Sequence, residues 1–523
     1  MKQVTTPIRN LSRHYVWLAV FFCVLGGALR FFNLGGQRLW ADELHTWEIA
    51  SGSLSTIWQT TRIELHPPLY NALQGAILKI LPPTEANLRL LPAVSGLVVI
   101  PVLGLYLARN HGRTAAIVGM LFVATSPVQV YYSQEARVYA LSGLYVVISL
   151  LAVRWVEQQP SLRAWLTYSA VAIVGICLNY FLAAVLLAQI IWLGLQSRIR
   201  RQKLFFVSLL LMTIFCLPLV PNAIASQRSI PNFNLTDAWN MELPSTFESM
   251  LIGDNRYIPR PARWIALGIF ALFSLAGVAQ LGKRSSLYLF MIGLPTTVVF
   301  VLLRIMGLQS PHYSERQFIV LAPAAWVLVA AGVSFLWQGR SKFARVMTIA
   351  LCATWVIAAS FGLGQYFGEF EKSGEQAVVN WLTTERTEQQ PILLVGPPAI
   401  GGAFKYYAPE THFLFLYRYL EGIGADEFWI SEQELQMFPL SPPSERCALA
   451  NLHSSQEFWL VEYIWLDEDI SFVNSLEQIR ATNLAAQAGN YQIYYVSAIP
   501  GGDELRCEEI PQVEFQGSSG DQG

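Results

Sequence analysis

Charge is scarce in this chain. Asp, Glu, Lys and Arg make up only 14% of its 523 residues, where a soluble domain carries about 25%. That deficit excludes a chain folded as water-exposed globules throughout. Cysteine is also scarce, six in all, and none stands in a CxxC or Cys/His zinc spacing. Cys23, Cys177, Cys216 and Cys352 fall inside apolar runs, where they read as packing residues. There is no nucleotide motif. Gly396-Pro397-Pro398-Ala399-Ile400-Gly401-Gly402 lacks a Gly-Lys-Ser/Thr ending, and its two prolines remove amide donors, so it reads as a turn and not a phosphate loop. No internal repeat is found. The formal net charge of −1 points to no partner, and none of nucleic acid is expected.

What the chain has instead is long apolar runs. Hydrophobic residues make up 53% of it. Eleven runs, each close to the length that crosses a bilayer core of about 30 Å, lie at 15–34, 88–108, 114–131, 138–156, 165–179, 181–197, 204–222, 263–281, 286–303, 318–337 and 345–364. The first follows Lys2, Arg9 and Arg13. It is long for a secretory signal and lacks a small-x-small cleavage site, so it reads as a transmembrane helix with a cytoplasmic N-terminus. Basic clusters fall in alternate connections: Arg109 and Arg113, Arg154 and Arg163, Arg198 to Lys203, Lys283-Arg284, and Arg340 to Arg345. By the positive-inside rule those connections are cytoplasmic. An odd number of spans then places the chain after about residue 365 outside.

The expected organisation is a transmembrane domain over 1–364, an extracytoplasmic α/β domain over 365–507 and a disordered tail over 508–523. The membrane is expected to be the plasma (inner) membrane. In the α/β domain, Gly374 to Leu382 reads as helix, and Pro391 to Val395, Glu457 to Tyr463 and Tyr491 to Val496 read as strands. Cys447 and Cys507 stand in this domain and form a candidate disulfide on an oxidising face.

The connection over 35–87 carries the most chemistry. It contains Arg38-Leu39-Trp40-Ala41-Asp42-Glu43, then Leu65-His66-Pro67-Pro68-Leu69-Tyr70. Two adjacent carboxylates beside hydrocarbon are costly and call for a reason. They either cap a short helix as solvated charges or take a proton from an acceptor. Trp40 and Trp47 would fix the segment at headgroup level, which favours a protected crevice. Residues 69–81 read as an interfacial helix started by the two prolines. His66 is either structural or a ligand for phosphate or metal. His45 and Glu64 allow a divalent metal, in a spacing that is no recognised ligand pattern. Glu135, Arg137 and Tyr139 stand where the third run meets the fourth; Arg89 opens the second run and Arg316 the tenth. Each Arg reads as a lipid snorkel or as an anion ligand. Three outer cations near two outer carboxylates form a pattern: cations for a phosphate, carboxylates for a proton. The connections over 223–262, a candidate lid, and 309–316 lie on the same side.

Four stretches in order, LWADELHTW, HPPLYNAL, LRLLPAVSGLVVIPVLGLY and SPVQVYYSQEARVYAL, resemble the GT-C-fold membrane glycosyltransferases. The group includes the bacterial protein O-mannosyltransferases and the lipid A aminoarabinose transferase. SERQFIVLAPAAWVLVAAG resembles a later stretch of the group, with Gln317 where Tyr is common. The resemblance implies transfer of a sugar from a polyprenyl-phosphate carrier to a glycan, lipid or protein acceptor on the outer face. It implies a general base at Asp42, with Glu43 beside it; the leaving lipid phosphate gains negative charge, which the forks of Arg137, Arg316 and Arg89 are suited to stabilise. The aminoarabinose transferase has Glu-Lys before its two prolines; this chain has Leu65-His66, so a metal site of that kind is not implied. A flippase of lipid-linked sugars and a non-catalytic scaffold of polysaccharide assembly are the rival readings. The first would place charges at mid-bilayer and show repeat symmetry.

Overall fold

In lipid an apolar run must satisfy its own backbone, so these runs become helices. A computed structural model describes residues 13–60, 66–223, 260–305, 316, 319–339, 341–368, 375–386, 390, 392–396, 398–411, 414–418, 428–429, 457–463, 482–488 and 491–497. The chain divides into two compact units: Met1–Gln37 with Thr46–Glu371, and Arg38–His45 with Lys372–Gly523.

The first unit is helical. Its elements are α1 (Arg13–Phe31), most of α2 (Ala41–Ser51), α3 (Leu54–Thr60), α4 (Leu69–Leu78), α5 (Glu85–Leu88), α6 (Leu90–Asn110), α7 (Arg113–Thr125), α8 (Pro127–Ser133), α9 (Tyr139–Gln158), α10 (Leu162–Leu178), α11 (Leu182–Leu195), α12 (Ser197–Arg200), α13 (Lys203–Cys216), α14 (Arg260–Leu281), α15 (Ser285–Ile305), α16 (Ala322–Gln338) and α17 (Lys342–Gly368). Among the described residues, six helices are long and apolar enough to cross a membrane, or seven if the bent pair α7–α8 is one span. The expected run 114–131 is therefore not straight: it bends by 59°. Ser126 is extended and Pro127 opens α8, because a residue before proline is pushed out of helical conformation.

Large apolar side chains face outward along the bundle, among them Trp17 and Phe21 of α1, Phe206 and Leu210 of α13, and Phe343 and Val346 of α17. An exposed apolar surface of this kind suits lipid. Inside, the rings of Phe122, Phe270, Trp326 and Trp355 pack edge to face and tilted. Helices α14 and α16 cross closely at Gly332, where an added Cβ would lie 1.8 Å from the Phe273 carbonyl oxygen.

A polar network ties α6, α9, α11 and α15 at one end of the bundle. Tyr106 and Tyr288 share a hydroxyl hydrogen bond of 2.6 Å, and His111 Nε2 lies 2.9 Å from Tyr288 Oη. Arg154 donates to Asn110 and pairs with Glu157, whose carboxylate also accepts from Trp192 and Gln196. The candidate site lies at the opposite end.

In the second unit, residues 392–496 contribute a six-stranded mixed sheet of order β3-β2-β1-β4-β6-β5: β1 (Ile392–Gly396), β2 (Leu414–Arg418), β3 (Phe428–Trp429), β4 (Phe458–Tyr463), β5 (Thr482–Ala488) and β6 (Tyr491–Val496). β1 runs parallel to β2 and β4; the outer pairings are antiparallel. Two helices accompany it, α18 (Glu375–Glu385) and α19 (Pro398–Tyr407). Gly396 is the last residue of β1, and Pro398–Gly402 form the first part of α19, with Pro398 as its opening residue; Pro397 lies outside the described residues. Cys447, Cys507, the connections 224–259 and 306–315, and the tail from 508 lie outside the described residues.

Candidate active site

The approach to the carboxylates begins where α1 ends. Asn33 takes a left-handed conformation (φ 51°), which stops the helix. Gly36 then passes so close that an added Cβ would lie 1.9 Å from Asn33 Oδ1. The free carbonyls at this helix end need donors, and two side chains from distant segments supply them. Gln134 Nε2 reaches Phe32 O at 2.8 Å, Arg30 O at 3.1 Å and Leu29 O at 3.2 Å. Arg89 Nη1 donates to Gln37 O at 2.6 Å and Leu34 O at 3.1 Å. Arg89 is 1% exposed. Sequence reasoning groups it with the phosphate ligands, and the structure gives it backbone carbonyls of the turn that leads to Arg38.

Around that turn the first unit gathers several of the expected residues. The α8–α9 connection brings Glu135, which is 0% exposed, and Arg137, which is 8% exposed. Arg137 Nη1 donates to Thr46 Oγ1 at 3.1 Å. Tyr139 packs edge to face on His66, centroids 6.1 Å apart, and on Tyr132 at 5.2 Å. Tyr131 packs on Tyr132 and Tyr366. Glu135 and Arg316 both lie within electrostatic range of Tyr131. Tyr366, near the end of α17, donates to Gln134 Oε1 at 2.8 Å. His66, Arg89, Glu135, Arg137, Tyr139 and Arg316 thus share one end of the bundle. A third tie holds the base of the expected interfacial helix: Gln74 of α4 donates to Leu88 O at 2.6 Å.

In the second unit, Asp42 and Glu43 occupy the first turn of α2, where the helix dipole favours negative charge. The amides of Glu43 and Leu44 both donate to Trp40 O, at 2.9 and 3.0 Å. Asp42 is half-buried and Glu43 is buried. Leu39 donates its amide to Tyr407 Oη at 2.9 Å.

Sequence reasoning missed Gln134, Thr46, Tyr366 and Tyr407. Gln134 lies within the SQEARVY stretch with Glu135, Arg137 and Tyr139, but an amide advertises no chemistry. Among the described residues, no three His, Cys, Asp or Glu side chains are grouped to hold a metal ion. Glu64 is not among them.

Residues 65–222 match the family model described as dolichyl-phosphate-mannose-protein mannosyltransferase. No curated protein matches the chain in sequence. Among solved structures, ArnT from Cupriavidus metallidurans in the apo state superposes with a TM-score of 0.58 at 15% identity, covering 92% of this chain and 98% of that one. The fold is GT-C. The same protein bound to undecaprenyl phosphate gives a TM-score of 0.53 at 13% identity, over 93% and 98% of the two chains. The archaeal oligosaccharyltransferase AglB from Archaeoglobus fulgidus, in complex with an inhibitory peptide and a dolichol-phosphate, gives 0.50 at 10% identity, over 91% and 74%. With its apolar helices, this GT-C chain is a multi-pass membrane protein.

Proposed function

We propose that this chain is an integral membrane glycosyltransferase that moves a sugar from a polyprenyl-phosphate carrier to an acceptor on the extracytoplasmic face, by inverting displacement. The observation that carries this reading is the family match over residues 65–222. It spans His66, Arg89, Glu135, Arg137 and Tyr139, the same side chains that the bundle gathers at one end. The solved ArnT with undecaprenyl phosphate supports the class of donor.

In this reading Asp42 removes the proton of an acceptor hydroxyl as its oxygen attacks the anomeric carbon. The bond from that carbon to the carrier phosphate breaks, and the lipid monophosphate leaves with added negative charge. Arg137 and Arg316 receive that charge, since a guanidinium fork matches phosphate oxygens. Glu43 stands buried beside the base. Arg137 is held by the Thr46 hydroxyl within the first unit. Arg89 serves by holding the turn that leads to the carboxylates. His66 and Tyr139 pack as a pair and form one wall.

The topology belongs to the same proposal. The seven candidate spans, with α7 and α8 taken as one, are joined by α10, α11, α14 and α15 to give the eleven runs read from the sequence. The N-terminus is then cytoplasmic, and the C-terminal α/β domain is extracytoplasmic.

The test is direct. Purified protein is supplied with several polyprenyl-phosphate sugars, and release of lipid phosphate is followed. Asp42→Asn keeps the shape and removes the base, so turnover should fall by about 10²-fold or more. Near-normal release in that variant refutes the base assignment. Lipid translocation without phosphate release would favour the flippase.

A further inference from the structure

We propose that Tyr407 is a positioning residue for the carboxylate segment: its hydroxyl, by accepting the Leu39 amide, sets where α2 begins and so where Asp42 and Glu43 stand. The functional side of this inference rests on Asp42 as the base; the geometry does not.

Segment Arg38–His45 groups with the C-terminal part of the chain in one compact unit, and the Leu39–Tyr407 hydrogen bond joins residues 368 apart in sequence. Residues 38–40 precede α2 and belong to no helix or strand. The Leu39 side chain is completely buried. A backbone donor in such a place must find a partner, and the Tyr407 hydroxyl lies 2.9 Å away. The next residue, Trp40, supplies the carbonyl that starts the first turn of α2. Fixing residue 39 therefore fixes the origin of the helix that carries both carboxylates.

The support behind Tyr407 is itself firm. It is the last residue of α19, whose Ile400, Ala403 and Phe404 are fully buried. The Tyr406 ring packs edge to face on the Tyr407 ring, centroids 4.7 Å apart, which restricts its rotamer. One turn earlier, α19 meets the segment again: a Cβ added at Gly402 would stand 3.6 Å from Leu44 Cβ. A larger side chain there would act as a wedge. The Tyr407 hydrogen bond and the close approach of Gly402 thus place α19 against residues 39 and 44, on either side of Asp42 and Glu43.

Tyr407→Phe deletes only the hydroxyl. Two readouts on the full-length protein test the proposal. The first needs no activity. The Arg38 side chain is exposed, and the Arg38–Leu39 peptide bond contains the amide that Tyr407 holds. Trypsin should therefore cut there about tenfold faster in the variant. The second is kinetic: kcat should fall about tenfold while the donor KM stays within about twofold. In an Asp42→Asn background, Tyr407→Phe should cost less than about twofold, because its effect passes through the segment. Gly402→Leu, which pushes on Leu44 from the same helix, should reproduce the trypsin result. Unchanged cleavage at Arg38 in both variants overturns the proposal, and so does a fully additive loss in the double variant. If Asp42→Asn alone retains turnover, the base reading fails, while faster cleavage at Arg38 still supports the positioning role.

Discussion

Replacing Arg89 separates two roles that sequence alone assigns equally. The guanidinium is buried, and its Nη1 donates to the carbonyls of Leu34 and Gln37. A hydrogen bond from a charged donor contributes about 1.5–3 kcal/mol. Two such bonds sharing one nitrogen do not add fully, so Arg89→Ala should weaken the turn by about 3 kcal/mol. The turn has other support: Gly36 N donates to Asn33 O at 2.9 Å, and Gln134 caps the helix end before it. It should loosen without unfolding the bundle. At 1.4 kcal/mol per factor of ten, kcat should fall by up to about 100-fold. Donor affinity, measured by titrating a fluorescent polyprenyl phosphate, should change by less than about threefold, because Nη1 is committed to backbone carbonyls. Arg89→Lys should be intermediate, since a point charge cannot reproduce the fork. If donor affinity falls as far as kcat while thermal unfolding is unmoved, Arg89 touches the phosphate and the reasoning is wrong.

Arg137→Ala and Arg316→Ala should each weaken donor binding, with Lys giving partial rescue; unchanged affinity in both Ala variants would make them structural or lipid-facing cations. His111 lies between α6 and α7, where burial first, then Arg154 and Arg284, push its pKa down to about 3 from 6.5. The unfolded chain takes that proton first, so stability should fall as pH drops from about 6.5 toward 3. His111→Gln should flatten the dependence of melting temperature on pH between 7 and 5, and an unaltered slope would refute the link. Cys447 and Cys507 should react with an impermeant thiol reagent on intact cells only after reduction if the domain is outside and they are bonded. A fused reporter placing the C-terminus in the cytoplasm would overturn the topology.

The helices were legible because apolar runs have one solution in lipid: among the described residues, six of the eleven runs, or seven with the bent pair, are helices long and apolar enough to cross a membrane. The bend at Ser126–Pro127 was also written in the sequence, but hydropathy averages across a proline, so the run 114–131 read as straight. Strands β1, β4 and β6 were legible as short apolar or aromatic runs between turn residues. β5 (Thr482–Ala488) was not, since TNLAAQA carries no alternation and is held by its pairing to β6. The candidate site was legible where residues are charged. Asp42, Glu43, Glu135 and Arg137 stand out because carboxylates and guanidinia are rare in such a chain. Gln134, Thr46, Tyr366 and Tyr407 carry no charge, and their roles arise only from what lies opposite in three dimensions.

That contrast also ranks the cations. A helix end near hydrocarbon has a prior need, because its carbonyls cannot turn to water. Arg30 donates to the carbonyls of Gly26, Val123 and Ala124, and Arg89 to those of Leu34 and Gln37. A carbonyl at a helix end cannot be dismissed when a substrate arrives, since it would be left buried and unsatisfied. Arg137 donates instead to the Thr46 hydroxyl. A hydroxyl rotates, and can donate to the same phosphate oxygen that takes over the guanidinium. A guanidinium nitrogen bonded to a hydroxyl can therefore turn to a phosphate more readily than one bonded to carbonyls. Under the proposed mechanism, Arg137→Ala should accordingly weaken donor binding more than Arg89→Ala does.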